Sequence, residues 1–178
     1  MSGLRKLTFE EIMAMRPDAG HLEELPRVPL VALVENIRSM HNVGSIFRSS
    51  DGAGIRHLYL TGFTPVPPRP EIEKTALGAT ESVPWSYHKK AADVVRDLKD
   101  KGYEIVVVEQ TTGSRAFFKT TFNFPLCLIM GNEVDGVSDE LVALADKAVD
   151  IPMRGIKHSL NVSVAYGIVV YGILAKYL

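Results

Sequence analysis

Short apolar runs alternate with amphipathic segments along most of the chain, and this alternation restricts the fold more than any other feature. The runs are Pro29 to Val34, His57 to Thr61, Tyr103 to Glu109, Leu126 to Met130 and Val149 to Ile151. Pro29–Val34 is mostly continuous in its apolar character, as expected for a strand buried on both faces. Between the runs, Ala91, Val94, Val95 and Leu98 fall at i, i+3, i+4 and i+7, an amphipathic helix closed by Gly102. Further helices are expected from Val43 to Ala53, with Asn42 as a plausible N-cap and a stop near Gly54, from Ser138 through Lys147, and from Ser159 onward. Thr64 to Pro70 is a proline-rich loop, Glu71 to Leu77 a short helix, and Val83 to Tyr87 a weak strand interrupted by Pro84. Strands alternating with helices in this way specify an α/β fold with a mainly parallel sheet and helices on both faces. Such sheets bind ligands beyond the carboxyl ends of their strands. The loops after Val34, Glu109, Met130 and Ile151 are therefore the places for a site.

The 178 residues divide naturally into a short helical leader, 1–28, and a single α/β domain, 29–178. The leader opens a helix at Thr8-Phe9-Glu10-Glu11, a capping box, which should end before Pro17. Its basic residues (Arg5, Lys6, Arg16, Arg27) are matched by acids (Glu10, Glu11, Asp18, Glu23, Glu24), so it is no clear nucleic-acid arm. Across the chain, 20 Lys and Arg face 21 Asp and Glu, a net charge of −1. A nucleic-acid partner would have to be met by a local basic patch. One cysteine, Cys127, makes neither an internal disulfide nor a zinc site and reads as a small core residue. His21, His41, His57, His88 and His158 show no metal-ligand spacing, and no metal is expected. The first residues hold no apolar signal-peptide core. The apolar stretch from Leu160 to Leu178 carries Asn161, Ser163 and Lys176 and reads as a helix buried in a core or dimer interface rather than in a membrane. A cytoplasmic location is expected.

Three polar clusters stand at the expected strand ends. In the first, Asn36 to Arg48, Asn42 could simply cap a helix. Gly44 is costly in a first helical turn, by up to about 1 kcal/mol relative to Ala, which points to close approach of a ligand or of backbone. Arg48 lies off the apolar side of its helix and either faces solvent or points at an anion. The second cluster, Gly131-Asn132-Glu133-Val134-Asp135-Gly136-Val137-Ser138, has the frame of a phosphate-binding loop. Val137 stands where the lysine must be, however, and two acids occupy the place of the phosphates. This argues against ATP or GTP chemistry and for a cationic or neutral ligand. The third cluster runs from Ile151 to Ala165. Arg154, Lys157 and His158 form a small basic group suited to phosphate, and Ser159 reads as the cap of the last helix.

In order, these clusters resemble the three motifs of the SPOUT-class RNA methyltransferases, in the TrmH-like (SpoU) branch. The first family motif, Asn…Asn-x-Gly-x-Ile-x-Arg, is matched by Asn36, Asn42, Gly44, Ile46 and Arg48. The second, Gly-x-Glu-x-x-Gly-x-Ser, is matched by Gly131, Glu133, Gly136 and Ser138. The third, Ile-Pro-Met-x-Gly…Ser-Leu-Asn-Val-Ser-Val-Ala, is matched from Ile151 to Ala165, and the resemblance runs from about residue 28 to the C-terminus. It implies a C-terminal deep trefoil knot, an exception to the rule that chains do not knot. It implies S-adenosylmethionine as cofactor, held largely by backbone groups, with Gly131, Ile151, Leu160 and Thr111 as its contacts. It also implies a homodimer in which the last helix and the first-motif helix pack across the interface.

The reaction the resemblance implies is methyl transfer to a ribose 2′-hydroxyl of RNA. Arg48 would be either the base or the group that stabilises the forming alkoxide; a guanidinium is so persistently protonated that the second role is physically cheaper. Asn42 and Asn161 would orient the ribose, and Ser159 the phosphate or Arg48. Glu133 would either order its loop or favour the positive sulfonium. Small family members without added domains often act on tRNA, which favours tRNA over ribosomal RNA as substrate. The competing readings are an RNA-binding dimer without catalysis, a nucleotide-dependent enzyme and a purely structural dimer.

Overall fold

The computed structural model of the chain describes residues 3–15 and 26–178. In chain order these form α1 (Phe9–Ala14), β1 (Val28–Glu35), α2 (Met40–Ala53), β2 (Ile55–Thr61), α3 (Pro70–Ala76), α4 (Ala79–Ser82) and β3 (Trp85–His88). There follow α5 (Ala91–Asp100), β4 (Glu104–Val108), β5 (Arg115–Ala116), β6 (Leu126–Met130), α6 (Asp139–Leu144), β7 (Lys147–Asp150) and α7 (Val162–Tyr177). The strands form one sheet in the order β3-β2-β1-β6-β4-β7-β5, and every pairing is parallel. The α/β architecture with a parallel sheet is thus the one expected. Arg16, Pro17, Asp18, His21, Glu23 and Glu24 lie outside the described residues.

The alternation of side chains along β1 explains the two cores. Leu30, Ala32 and Val34 face one way, onto Ile46 and Phe47 of α2 and Val169, Val170 and Ile173 of α7. Val31 and Leu33 face the other way, onto Val95 and Leu98 of α5 and Leu141 of α6. β1 from Leu30 onward and all of β6 are buried, because both lie at the centre of the sheet with helices above and below. Cys127 sits fully buried in β6, where loss of solvation pushes its thiol pKa well above the usual range. On the α2–α7 side, a hydrogen bond of 2.7 Å between the Ser50 hydroxyl and the Tyr166 phenol joins the two helices inside the core.

Several local expectations are corrected. The N-cap of α2 is Ser39, not Asn42: the Ser39 hydroxyl accepts from the Asn42 N–H, and the Asn42 side chain is engaged elsewhere. The N-cap of α7 is Asn161, not Ser159. Ser138 does precede α6, but its side chain makes no cap; it donates to Glu35 instead. α6 stops at Leu144, and Lys147 begins β7, because the Asp146 carboxylate takes the Ile105 N–H (2.8 Å) and the Lys99 ammonium (2.8 Å) and so turns the chain into the sheet. The strand after Pro84 starts at Trp85, and the short elements α4 and β5 were not anticipated. The capping box of α1 forms as read, with Thr8 and Glu11 bonding each other's backbone N–H. The Gly54 stop of α2 also forms, in the left-handed conformation at φ 63°.

Gly44 owes its place to backbone rather than to a ligand. A Cβ there would stand 2.1 Å from Thr75 Oγ1 and 2.2 Å from the Ile72 carbonyl oxygen. The missing side chain is what lets α2 and α3 cross in contact. Among the described residues no helix is long and apolar enough to cross a membrane.

Candidate active site

Because all strands are parallel, their carboxyl ends share one edge of the sheet. The loops after β4, β6 and β7 meet there around a cavity of about 360 Å³. Its walls are apolar at Val108, Met130, Ile151, Met153, Leu160 and Val162. Its polar lining includes four acids, Glu109, Glu133, Asp135 and Asp150, beside Gln110, Asn132, His158, Ser159 and Asn161. The volume lies within the range of small-ligand sites, and the carboxylates favour a ligand with positive charge over a polyphosphate.

The loop from Gly131 to Ser138 is closed upon itself. Asn132 and Gly136 exchange backbone hydrogen bonds of 2.9 and 3.0 Å. The Asn132 carboxamide oxygen accepts from Val134 N–H (2.8 Å) and Asp135 N–H (3.0 Å). Val137 N–H donates to Glu109 (2.9 Å) and Ser138 N–H to Glu35 (2.9 Å). Every backbone donor from Val134 to Ser138 is therefore taken within the protein, and the loop offers no phosphate cradle. Gly136 has φ 72°, and a Cβ there would meet the Glu109 carboxylate at 2.2 Å. On Gly131 a Cβ would strike the Gly136 carbonyl carbon at 2.1 Å. Both glycines are needed for the loop to close this tightly.

Glu133 reaches out of this loop to the segment after β1. Its carboxylate accepts from Arg38 N–H (3.0 Å), Ser39 N–H (3.2 Å) and the Asn42 amide (3.0 Å). Partial burial alone would push its pKa up, but the backbone N–H of Arg38, the Asn42 amide and the Ser39 N–H outweigh it and hold the group below the ordinary carboxylate value. The Asn42 carboxamide oxygen in turn accepts from the Asn161 amide at 3.1 Å. Asn161 uses its own oxygen to cap α7, accepting from Ser163 N–H (3.0 Å), Val164 N–H (3.4 Å) and the Ser163 hydroxyl (2.7 Å). One hydrogen-bonded chain thus joins the three polar clusters. Asn36, the first asparagine of the first cluster, adopts φ 57°; its carbonyl accepts from the Asn132 amide (2.7 Å) and its side chain from Phe63 N–H (3.1 Å).

The remaining sequence-predicted residues divide. Gly131, Ile151, Leu160 and Ser159 line the cavity, as do Glu133 and Asn161. Thr111, expected as a cofactor contact, is not among the lining residues; it turns back, its N–H donating to the Ser114 hydroxyl (3.4 Å) and its hydroxyl accepting from Gly113 N–H (3.2 Å). Gln110 takes that place, and its side-chain amide donates to the His158 carbonyl at 2.5 Å, tying the third-cluster loop to the end of β4. Arg48 is exposed on α2, is not part of the cavity wall, and among the described residues has no hydrogen-bond or ion-pair partner. Arg154, Lys157 and His158 are likewise exposed on the loop that rims the cavity. Glu35 and Glu109 were missed as loop braces. The signal was present: both stand at the carboxyl end of a buried apolar strand, where a carboxylate has no packing role.

A parallel sheet with an acid-lined, small-ligand cavity at its strand ends defines an α/β enzyme of the cofactor-binding kind. The chain belongs to the SpoU rRNA Methylase family, which residues 29–171 match. It is 35% identical over 148 residues to a tRNA (guanosine(18)-2′-O)-methyltransferase of Aquifex aeolicus, covering 80% of this chain and 67% of that one. The crystal structure of the A. aeolicus TrmH/SpoU tRNA modifying enzyme superposes with a TM-score of 0.79 at 30% identity, covering 88% of this chain and 82% of that one. An AdoMet-bound rRNA methyltransferase from Sinorhizobium meliloti superposes with the same TM-score, 0.79, at 26% identity. That match covers 88% of this chain and 60% of the S. meliloti chain.

Proposed function

We propose that the protein transfers a methyl group from S-adenosylmethionine to a ribose 2′-hydroxyl of RNA, with tRNA as the favoured substrate, as a cytoplasmic homodimer built around a single domain of residues 29–178. The observation that carries this reading is the chain Glu133–Asn42–Asn161, which draws three distant motif segments together beside a cofactor-sized cavity.

The cavity fits the cofactor in size and charge. Apolar walls at Val108, Met130 and Leu160 suit an adenosine, and the surrounding carboxylates suit a sulfonium. Gly131, Ile151 and Leu160 would hold it through backbone groups, with Gln110 in the place first assigned to Thr111. The bound cofactor supplies an electrophilic methyl group. That methyl would pass from the sulfonium sulfur to the ribose oxygen, leaving a neutral thioether, and the hydroxyl proton would pass to water. The protein's part is mostly positioning. Asn42 and Asn161 each use one amide N–H within the chain described above, and an amide has two. The second N–H of each is available to orient the ribose. Arg48, always charged, holds the adjacent phosphate and stabilises the forming alkoxide. Ser159, on the cavity wall, assists at that phosphate. The basic loop residues Arg154, Lys157 and His158 attract the RNA backbone.

The dimer reading rests on α7. Its buried side is Val162, Tyr166, Val169, Val170 and Ile173, yet Val164, Ile168 and Tyr171 on another side remain 51%, 40% and 47% exposed. An apolar stripe beside α2 at this spacing suits a second copy, which would bring the exposed Arg48 of one protomer into a site shared with its partner. The C-terminal knot expected of the fold would be formed by the loops after β6 and β7.

The test is methyl transfer from methyl-labelled S-adenosylmethionine to unmodified tRNA and, separately, ribosomal RNA. Label should appear as a 2′-O-methylnucleoside in digests of the tRNA. Label only in ribosomal RNA would reassign the substrate. RNA binding without label would leave a non-catalytic RNA-binding dimer.

A further inference from the structure

A second depression, of about 480 Å³, lies on the other side of the Asn36–Ser39 segment. Arg38, Phe63, Arg69 and Tyr87 line it, and no Asp or Glu does. Phe63 is 58% and Tyr87 48% exposed, and both line this one depression. Both are held in place. Phe63 N–H donates to the Asn36 side chain (3.1 Å), and the Tyr87 hydroxyl donates to the Gly62 carbonyl (2.7 Å). Arg69 is exposed, and among the described residues its guanidinium has no partner. Among the described residues the Arg38 guanidinium has one acidic contact, a loose one with Asp135 at 3.8 Å. In a chain of net charge −1, two weakly engaged arginines beside two exposed aromatic rings form a local basic and aromatic site. Hydrogen bonds link this groove to the cavity. The backbone of Arg38 donates to Glu133 while its side chain lines the groove, and Asn36 bonds both Phe63 and Asn132.

We propose that this groove binds an unstacked nucleotide flanking the methylated ribose, its base stacked on Phe63 or Tyr87 and its phosphate held by Arg38 and Arg69. The proposal rests on the RNA reading above. Proteins that read RNA at loops and ends splay unstacked bases onto aromatic side chains, and a platform of that kind beside the cavity suits a nucleotide next to the methylated one. Stacking on a ring and pairing with a phosphate are the two contacts by which proteins hold single-stranded RNA. The two arginines in the lining favour an anionic ligand over a cationic one.

The experiment compares wild type with Phe63→Ala, Phe63→Leu, Phe63→Trp and Arg69→Ala. It measures binding of unmodified tRNA by fluorescence anisotropy, methyl transfer kinetics, and affinity for S-adenosylmethionine as a check on folding. Phe63→Ala and Phe63→Leu should weaken tRNA binding and raise its KM by roughly tenfold. Phe63→Trp, which keeps a stacking face, should restore both. Arg69→Ala should weaken tRNA binding and reduce the slope of log affinity against log salt by about 1. Cofactor affinity should hold in all four. If the wild type methylates RNA and none of the variants changes KM or binding, the groove is not an RNA site. If the wild type binds RNA without methylating it and Phe63→Ala weakens that binding, the groove stands and the catalytic reading falls. If the wild type binds no RNA, both fall.

Discussion

The side-chain amide of Asn161 donates to the carboxamide oxygen of Asn42 across 3.1 Å, although 119 residues of chain separate them. The same Asn161 caps α7, so one side chain both starts a helix and holds the site together. Asn161→Ala should lower stability by about 1 kcal/mol for the lost cap, with a further loss as Asn42 is freed. Asn161→Asp keeps the cap but replaces the donor with a carboxylate facing the Asn42 oxygen. It should melt close to wild type and still lose most methyl transfer. Thermal melts paired with single-turnover kinetics separate the two, and an Asp variant with normal turnover would remove the Asn42 contact from the mechanism.

Arg48→Ala should abolish methyl transfer while leaving stability within about 0.5 kcal/mol, because the side chain is exposed and takes no described partner. Cofactor affinity by calorimetry should be unchanged, since Arg48 lies outside the cavity wall. Turnover at the wild-type rate would exclude it from the reaction.

Glu133 makes the site acid-sensitive. Its folded pKa lies below the ordinary value of 4.5, so its contribution to stability is complete above that value and is lost as pH falls through the folded one. Glu133→Gln cannot accept all three donors and should be less stable near neutrality. Melts from about pH 7 to about pH 3 should show the gap between variant and wild type closing toward the acid end. A gap independent of pH would mean that the carboxylate charge is not what binds the loop.

Gly44→Ala would ordinarily favour a helix by about 1 kcal/mol. Here the new methyl would fall 2.1 Å from Thr75 Oγ1 and 2.2 Å from the Ile72 carbonyl oxygen, far inside van der Waals contact, and overpacking of this kind costs roughly 1–3 kcal/mol or more. Urea denaturation should therefore show net destabilisation. A more stable variant would mean that α2 and α3 can separate freely.

If α7 forms the dimer, Ile168→Lys should yield a folded monomer by sedimentation, with melting near that of the wild-type protomer and methyl transfer lost. A lysine variant that stays dimeric would move the interface elsewhere.

Much of the site was readable from residues because each cluster follows a buried apolar run, and a parallel sheet brings such ends together. The details that were not readable are choices between chemically equivalent neighbours. Ser39 and Asn42 can both cap a helix; the carboxylate of Glu133, far away in sequence, draws Asn42 off and leaves Ser39 to cap. Ser159 and Asn161 present the same ambiguity, decided by Asn42. Thr111 does not line the cavity, where Gln110 does, because Ser114 and Gly113 bend it back into its own turn. β5 has two residues and exists only because β7 is there to pair with it. Gly44 was correctly odd, and the reason was a neighbouring helix.

The bonds that hold the loop after β6 have a consequence for how the protein comes into being. Glu35 meets Ser138, Asn36 meets Asn132, and Asn42 meets both Glu133 and Asn161, with sequence separations of 103, 96, 91 and 119. Contacts so distant carry a large loop-closure cost and slow folding. A ribosome making this chain would release β1 and α2 long before their partners exist. The loop cannot close onto β1 and α2 until Glu133 and Ser138 have been made, and Asn42 cannot meet Asn161 until the start of α7 follows.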